Sequence, residues 1–224
     1  MKVKINELTL YSYRVCEVYV MEESKKHWEE IYQTKQPAEL SWTEEIPATS
    51  VSFVHNFFLP KTARIIDVGG GDSRLVDFLL TEQFQHITVL DISGKALDRA
   101  KHRLGSNASR INWIEKDITG LESEEMFDLW HDRAAFHFLT DPREISKYAM
   151  LAKKYVKPGG YLVIGTFSEN GPVNCSGLPV TRYNQHALQR VFSDGFKILN
   201  CIILDHETPF KTKQNFIYCS FQRI

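Results

Sequence analysis

The chain has 224 residues, of which 43% are hydrophobic and 25% charged, a composition typical of a folded globular protein with a sizeable buried core. Lys and Arg total 27 and Asp and Glu total 28, so the formal charge is −1. With neither a basic excess nor a basic stripe, the sequence disfavours nucleic acid as the principal partner.

The cysteines and the first residues indicate the compartment. The four cysteines, Cys16, Cys175, Cys201 and Cys219, form no Cys-x-x-Cys pair, which argues against a zinc ribbon or a disulfide framework and favours a reducing compartment. Charged residues interrupt the first twenty positions, so neither the apolar region of a signal peptide nor a membrane span is present there. We therefore predict a cytoplasmic protein without membrane contact.

An amphipathic helix is predicted to begin at Met21, in the run MEESKKHW. The preceding residues, 1–21, are treated as an extension: an extra strand, a mobile arm or the product of an upstream start codon. The remaining residues, 22–224, are predicted to form a single domain with a ligand-binding core at about residues 60–168.

Short apolar runs along the chain predict strands that are buried on both faces of a parallel sheet. They lie at residues 63–68, 87–90, 111–114, 127–130 and 161–167. Two further runs, 196–204 and 215–221, are joined by a polar loop that is short enough for an antiparallel hairpin.

Helical periodicity fills the gaps between these strands. A helix is predicted over 73–81, and Ser93 is placed to cap another that extends to Leu104. Asp141 and Pro142 begin a third helix, which the run Pro158-Gly159-Gly160 is expected to end, and Asn184 begins a fourth. The alternation predicts an open, mostly parallel α/β sheet with helices on both faces. Ligands of such sheets bind at the carboxyl ends of the strands.

Glycines and acids lie at those strand ends. The turn Asp67-Val68-Gly69-Gly70-Gly71-Asp72-Ser73 follows the first strand, and glycine there lets the backbone approach a ligand closely. Asp91 ends the second strand, 24 residues after Asp67, and Asp117 ends the third. A single Asp at a strand end is more often a cap or turn former. Three in register beside a glycine turn predict a ligand that carries a nucleoside.

The kind of nucleoside follows from what the turn lacks. A dinucleotide fingerprint has a third glycine where this chain has Arg74. No Gly-x-x-x-x-Gly-Lys-[Ser/Thr] motif is present either, and the acids around the turn would repel phosphate oxygens. A ligand without phosphate and with a positive centre agrees better with these residues.

In this order, the motifs DVGGGDS, VLDIS, EKDI, FDLWHDRAAFHFL and KPGGYLVIGTF resemble those of the class I (seven-stranded, Rossmann-like) S-adenosylmethionine-dependent methyltransferases, over roughly residues 22–224. The resemblance implies a sheet order of 3-2-1-4-5-7-6 with the last strand antiparallel. It also implies S-adenosyl-L-methionine as the cofactor and direct in-line transfer of its methyl group.

The resemblance carries over to particular residues. It implies that Asp67, Gly69 and Gly71 face the methionine part, Asp91 the ribose, and Asp117 with Ile118 the adenine, with Gly70 and Ile92 completing the cofactor-binding set. The segment HWEEIYQTKQPAELSW resembles a helix that covers the cofactor in several branches. Trp28 or Tyr32 would then close over the sulfonium, a contact worth on the order of 1 kcal/mol. A plain amphipathic helix that buries Trp28, Ile31 and Tyr32 explains the segment equally well.

Candidate catalytic residues follow the fourth strand. Asp132-Arg133-Ala134 is similar to a triplet of thiopurine-type enzymes and, loosely, of some protein-lysine methyltransferases. Among His131, Asp132 and Arg133, either His131 or Asp132 is a candidate to accept a proton or orient the acceptor. The structural alternative pairs Asp132 with Arg133 or with backbone.

Substrate contacts are predicted at His137 and in the loop 168–184, which is long enough to suggest a function. Cys175, Arg182 and Tyr183 of this loop are predicted to form a wall of the acceptor pocket, while His137 is more often packed than catalytic. Methyl transfer requires no covalent enzyme intermediate, which disfavours Cys175 as a nucleophile. No cluster of His, Asp and Glu has metal-ligand spacing, so no metal is predicted.

The acceptor is not determined by the sequence. A small molecule such as a thiol, an amine or a heterocycle is the first choice, because the loop 168–184 and the helix over the cofactor are long enough to enclose one. Methylation of a protein lysine is the alternative, and a wide, acidic, groove-like mouth would favour it. In a third interpretation the fold binds the cofactor without turnover. The oligomeric state has no signal in the sequence.

Overall fold

The computed structural model describes residues 22–224, and the alternatives predicted for residues 1–21 lie outside the described residues. Within the described range, no helix is both long enough and apolar enough to span a bilayer. Helix α1 occupies residues 22–34. The helices that follow are α2 (Ala48–Asn56), α3 (Leu75–Thr81), α4 (Gly94–Leu104), α5 (Pro142–Tyr155) and α6 (Gln185–Val191).

The strands are β1 (Arg64–Val68), β2 (His86–Asp91), β3 (Ile111–Glu115), β4 (Phe127–Arg133), β5 (Val156–Phe167), β6 (Asn174–Cys175), β7 (Leu178–Pro179), β8 (Phe196–Glu207) and β9 (Lys213–Arg223). Seven of them form one sheet in the order β3-β2-β1-β4-β5-β9-β8, while β6 and β7 pair separately. Strands β1 to β5 are parallel, and β9 runs antiparallel to both neighbours. Counted within the large sheet, this is the predicted order 3-2-1-4-5-7-6 with an antiparallel last strand, and the prediction is confirmed.

Alternating side chains of the strands enter two cores, one on each face of the sheet. On β1, Ile66 packs with Tyr148 of α5 and Leu188 of α6. Its neighbour Ile65 lies in the other core with Phe53 of α2 and with apolar residues of α3 and α4. Helices therefore cover both faces, as predicted.

The predicted helix starts carry the side-chain caps that the sequence suggested. Ser93 accepts a hydrogen bond from the amide of Ala96 at 3.2 Å, Asp141 from Arg143 at 2.8 Å and Asn184 from Ala187 at 2.8 Å. Each cap satisfies one of the free amides at a helix N-terminus.

Two predicted helix boundaries differ from the structure. Helix α3 begins at Leu75 rather than at residue 73, and the Ser73 hydroxyl accepts from the Leu75 amide at 3.2 Å. Helix α5 ends at Tyr155, because the buried Val156 already pairs with Phe127 as the first residue of β5. The run at 158–160 lies inside β5, where the register with β4 shifts, and so does not terminate the helix.

The argument against disulfides from the cysteine spacing was wrong for the terminal hairpin. Cys201 on β8 and Cys219 on β9 are directly opposed, with Cα atoms 4.2 Å apart, and form a disulfide. Their spacing in sequence carries no such signal, because hairpin register alone places them opposite each other. The inference of a reducing compartment from the cysteines thereby loses its support.

Candidate active site

The carboxyl ends of β1 to β4 meet at a cavity of about 250 Å³. The parallel arrangement brings these strand ends to one edge of the sheet, as the rule for open α/β folds requires. Seven of the predicted cofactor-binding residues line this cavity: Trp28, Tyr32, Gly69, Asp91, Ile92, Asp117 and Ile118. The sequence therefore located the cavity from elements that are distant along the chain.

The glycine turn after β1 requires glycine for two reasons. Gly69 has φ +63° and Gly71 has φ +46°, in the left-handed region that L side chains rarely adopt. A Cβ atom at Gly69 would lie 2.3 Å from the Cβ of Ala135, and one at Gly71 would lie 3.0 Å from the Tyr32 hydroxyl. The turn thus leaves room for the backbone of the loop after β4 and for α1 to approach the cavity.

Asp91 is buried at the end of β2. One of its carboxylate oxygens, Oδ1, accepts from the Ser93 amide at 2.8 Å. Burial raises its pKa to about 7, and the nearby carboxylates of Asp72 and Asp67 act in the same direction, while backbone hydrogen bonds oppose the shift. A ligand that donates hydroxyl hydrogens would relieve this penalty, because such donors stabilise the ionised carboxylate.

Asp117 has two roles at the end of β3. Its Oδ1 accepts from the amide and the hydroxyl of Thr119, both at 2.7 Å, and so caps a short 3-10 turn over Ile118–Gly120. The residue also lines the cavity beside Ile118. The cap accounts for its presence at the strand end, and its position keeps it available to a ligand.

A buried hydrogen-bonded chain holds Asp67. His131 Nδ1 lies 2.7 Å from Asp67 Oδ1, and its Nε2 lies 2.9 Å from the Ser50 hydroxyl. A neutral imidazole protonated at Nδ1 satisfies both bonds, donating to the carboxylate and accepting from the serine. Asp67 Oδ2 is buried and has no hydrogen-bond partner within the described residues. His131 thus orients Asp67, and Ser50, on α2, completes the chain.

Asp132 turns away from the cavity into the core. Its Oδ1 accepts from the amides of Ala135 and Phe136, and its Oδ2 accepts from the Tyr148 hydroxyl at 2.7 Å. Burial raises its pKa to about 6, although these three hydrogen bonds oppose the shift. The observed arrangement is the structural alternative, in which Asp132 binds backbone and braces the turn after β4.

Arg133 faces the cavity and binds none of the partners that the sequence suggested. Its Nε donates to the Tyr218 hydroxyl at 3.0 Å, its Nη1 donates to the Trp42 carbonyl at 2.8 Å, and its Nη2 lies 3.2 Å from a Glu44 carboxylate oxygen. Because Trp42 and Glu44 belong to the segment between α1 and α2, Arg133 connects that segment to the sheet.

Helix α1 and three aromatic side chains cover the cavity. The ring of Trp28 packs edge-on against Phe138 at 4.8 Å and against Trp42 at 5.8 Å between centroids. Glu29 of α1 accepts from the amides of Gly94 and Lys95 at 2.7 and 3.3 Å, which docks α1 on the N-terminus of α4. Both interpretations of this segment are therefore compatible with the structure, since the helix packs its apolar face and also covers the cavity.

The predicted substrate residues do not come together. Of the predicted wall in the loop 168–184, Cys175 lines the cavity, and burial raises the pKa of its thiol. Arg182 donates to the Glu169 carbonyl at 2.7 Å, and Tyr183 stacks on Phe136 in the core at 5.2 Å. His137 is fully buried and stacks on Phe167 at 4.4 Å, and burial lowers its pKa to about 3.

A second, wider space adjoins the cavity. This groove has a volume of about 1150 Å³. It shares four wall residues with the cavity, namely Tyr32, Trp42, Gly69 and Arg133. Asp67, Gly70 and His131 line the groove but not the cavity. Its rim carries both signs of charge, with acids such as Asp72, Asp98 and Glu207 interleaved with bases such as Arg74, Lys95 and Arg103. Within the structurally described range, no group of three or more His, Cys, Asp and Glu side chains is arranged to hold a metal ion.

Sequence reasoning missed two contributors to the site. Ser50 lies 81 residues from His131 and has no local signature. Phe138 belongs to the run after β4, and its place opposite Trp28 depends on the docking of α1. Its position directly after the predicted substrate residue His137 was the available signal.

Known proteins share this architecture. Residues 65–160 match a family model described as a methyltransferase domain. Over 87 residues the chain is 32% identical to nodulation protein S of Rhizobium tropici, a match that covers 39% of this chain and 36% of that protein. Over 107 residues it is 34% identical to the malonyl-(acyl-carrier protein) O-methyltransferase of Anoxybacillus flavithermus, covering 47% of this chain and 39% of the relative. The chain thus spans well under half of these curated relatives.

A solved structure matches over most of its length. The crystal structure of the 1,6-didemethyltoxoflavin-N1-methyltransferase of Burkholderia thailandensis, with bound 1,6-didemethyltoxoflavin and S-adenosylhomocysteine, aligns with a TM-score of 0.65 at 14% identity. The alignment covers 100% of this chain and 93% of that one. At this identity the likeness concerns the fold.

Proposed function

We propose that this chain is a class I methyltransferase that transfers the methyl group of S-adenosylmethionine to a small-molecule acceptor. The observation that carries the proposal is the convergence of Asp91, Asp117 and Gly69 in one cavity at the carboxyl edge of the sheet. These residues provide acceptors for ribose and adenine donors beside a turn that permits close backbone approach.

The residues present fit this cofactor. Asp67 Oδ2 is a buried acceptor that lacks a hydrogen-bond partner within the described chain, and the adjacent turn carries only glycines, so no side chain of Gly69 or Gly71 stands beside the cavity. A positively charged amino group would satisfy this oxygen. Burial and the nearby carboxylates raise the pKa of Asp91, and ribose hydroxyls that donate to its carboxylate would favour the ionised form.

When bound, S-adenosylmethionine supplies a methyl group on a sulfonium, which is already electrophilic. Asp91 and Asp117 would hold the nucleoside, and Asp67, kept in place by His131 and Ser50, would hold the amino group. Trp28, Trp42 and Phe138 would exclude water from the reacting end. Positioning two reactants in this way can supply roughly 7 to 11 kcal/mol of the barrier, so a dedicated base is optional.

Two observations favour a small-molecule acceptor over a protein lysine. The reacting end is an aromatic cavity of about 250 Å³, much smaller than the adjoining groove. The groove next to it is wide, as a peptide would require, but its rim carries mixed charge rather than the acidic surface that lysine would favour. Lysine methylation therefore stays the second candidate, and binding without turnover the third.

These roles revise the candidate catalytic set. Arg133 keeps a place beside the acceptor, His131 becomes a positioning residue for Asp67, and Asp132 becomes a brace of the site. A cytoplasmic location remains part of the proposal, although the Cys201–Cys219 disulfide gives it no support.

A labelled-methyl experiment tests the proposal. The protein is incubated with S-adenosylmethionine labelled in the methyl group and with a desalted lysate to which the small metabolites are added back. Label in the low-molecular-mass fraction supports the small-molecule acceptor, and label in lysine side chains of the protein fraction supports the second candidate. Binding of the cofactor without transfer of label to either fraction would refute catalysis.

A further inference from the structure

Strand β8 forms an open edge of the large sheet. Within the described residues it has β9 on one side and no strand on the other. None of the backbone hydrogen bonds found outside the sheet ladders involves residues 197–207. The outward amides and carbonyls of this strand are therefore available for pairing with another strand. The Cys201–Cys219 disulfide ties β8 to β9, so the open edge is held in place.

The middle of this edge is apolar and exposed. Leu199, Ile202 and Ile203 are 46%, 37% and 63% exposed. Residues 200–204 include neither a charged side chain nor a proline, which are the usual features that keep sheet edges from pairing. The β-bulge that follows Ile198 interrupts only the beginning of the strand. An exposed apolar edge of this kind favours association with another strand.

The charges at the two ends of β8 indicate which strand covers it. The exposed Lys197 lies at the beginning of β8, and the exposed Asp205 and Glu207 lie at its end. When two copies of β8 pair antiparallel across a two-fold axis, each basic end meets the acidic end of the other copy, and the two apolar centres meet. Parallel pairing would instead bring like charges together, which is unfavourable.

The acidic end is accessible to a second cation. Asp205 lies 3.5 Å from Lys213 and Glu207 lies 2.8 Å from Lys211, both within the same chain. The two carboxylate side chains nevertheless stay 44% and 58% exposed. Ion pairs between exposed groups contribute little, so these contacts leave the acids free to attract a lysine of another molecule.

From this arrangement we propose that the chain forms a two-fold symmetric dimer through antiparallel pairing of β8 with β8 of a second copy, centred near Ile202. Each Cys201 then lies opposite Ile203 of the other copy, and the two sheets become continuous. Each Lys197 lies beside Asp205 and Glu207 of the other copy. Because these two acids also line the groove next to the cavity, a lysine of the second copy contributes to the groove rim.

Sedimentation velocity of the 224-residue chain tests the apolar centre of the interface. The mass should rise from 25.9 kDa towards twice that value as the concentration increases from about 1 to 100 µM. Ile203→Lys should raise the dissociation constant at least about tenfold, because it places a charge of each copy in the apolar centre. Met150→Lys, which changes a residue of α5 that is 62% exposed, is the matched control and should leave the dissociation constant unchanged.

Charge reversal tests the two-fold arrangement. The variant Lys197→Glu makes both ends of β8 acidic, and the double variant Asp205→Lys with Glu207→Lys makes both ends basic. Each variant alone should stay monomeric at concentrations where the wild type dimerises, because like charges meet at both ends of the interface. An equimolar mixture of the two should dimerise again, since opposite charges then meet at both ends. Thermal melting curves verify that each variant is folded.

Three results would overturn the inference: a monomer at every concentration, a dimer that Ile203→Lys leaves unchanged, or a mixture of the charge-reversed variants that stays monomeric. If the chain dimerises only after residues 1–21 are removed, that segment covers the edge and the second copy does not. None of these measurements involves methyl transfer, so their failure is distinguishable from a failure of the proposed function.

Discussion

Replacement of Asp91 by Asn separates the charge of this carboxyl from its place in the fold. Asparagine keeps an oxygen that can accept from the Ser93 amide, so the turn into α4 is retained. It removes the ionised carboxylate that would accept the ribose hydroxyls. Hydrogen bonds to a charged group contribute about 1.5 to 3 kcal/mol, and the retained amide oxygen places the loss at the lower end, roughly tenfold in affinity for S-adenosylhomocysteine.

Because the pKa of Asp91 is raised, the contribution of its carboxylate to S-adenosylhomocysteine affinity should depend on pH. Its value of about 7 in the unliganded fold lies above the ordinary 3.8, mainly because of burial. Binding through ribose hydroxyls favours the ionised form, so below pH 7 the ligand must displace a proton, and affinity should fall by roughly tenfold per pH unit in the limit. In the unliganded protein the raised pKa adds stability that is present below about pH 4 and is lost as the pH rises towards 7.

Calorimetric titration of S-adenosylhomocysteine between pH 6 and pH 8, in two buffers of different ionisation enthalpy, measures both affinity and proton release. The wild-type chain should bind more weakly at pH 6 than at pH 8 and should release a proton on binding at pH 6. Asp91→Asn should bind more weakly than the wild type at pH 8, and its affinity should depend little on pH. Asp98→Asn, which removes a side chain of α4 that is 73% exposed, is the matched control and should behave as wild type. Equal affinities of wild type and Asp91→Asn at pH 8 would refute the reasoning.

Three further predictions concern the frame of the site. Asp132→Asn should lower the free energy of unfolding, measured in urea, by about 1 to 3 kcal/mol, because it weakens buried hydrogen bonds to two amides and to Tyr148. The affinity of the folded fraction for S-adenosylhomocysteine should stay unchanged. A stable variant that binds the ligand poorly would contradict this. Glu29→Gln should speed amide hydrogen exchange in α1, since a helix cap of this kind contributes about 1 kcal/mol, and unchanged exchange would count against the docking described. Reduction of the Cys201–Cys219 bond, whose cysteines have a sequence separation of 18, should cost roughly 3 kcal/mol and lower the melting temperature of the wild type but not of the double serine variant.

Much of the fold followed from local patterns. Buried strands are short apolar runs, and caps such as Ser93, Asp141 and Asn184 act within four residues, so sequence alone predicted both. The sheet order and the seven-stranded topology came from the resemblance and agree with the structure. The cavity at the carboxyl edge was predictable because the topology brings consecutive strand ends together.

The orientation of individual side chains was less predictable. Asp132 and Arg133 are adjacent in the chain, yet strand alternation directs one into the core and the other to the cavity, and nothing in the triplet distinguishes them. Ser50 reaches His131, and Glu44 reaches His206, across separations of 81 and 162 residues. Such contacts depend on how α2 and the segment before it pack, which local sequence does not encode.

A crystal structure of the chain grown with S-adenosylhomocysteine tests the central claim most directly. The account predicts the ribose on Asp91, the adenine beside Asp117 and Ile118, the amino group within hydrogen-bond distance of Asp67, and α1 covering the ligand. A ligand bound away from the carboxyl edge of the sheet, or a cavity that stays empty at millimolar ligand, would contradict it.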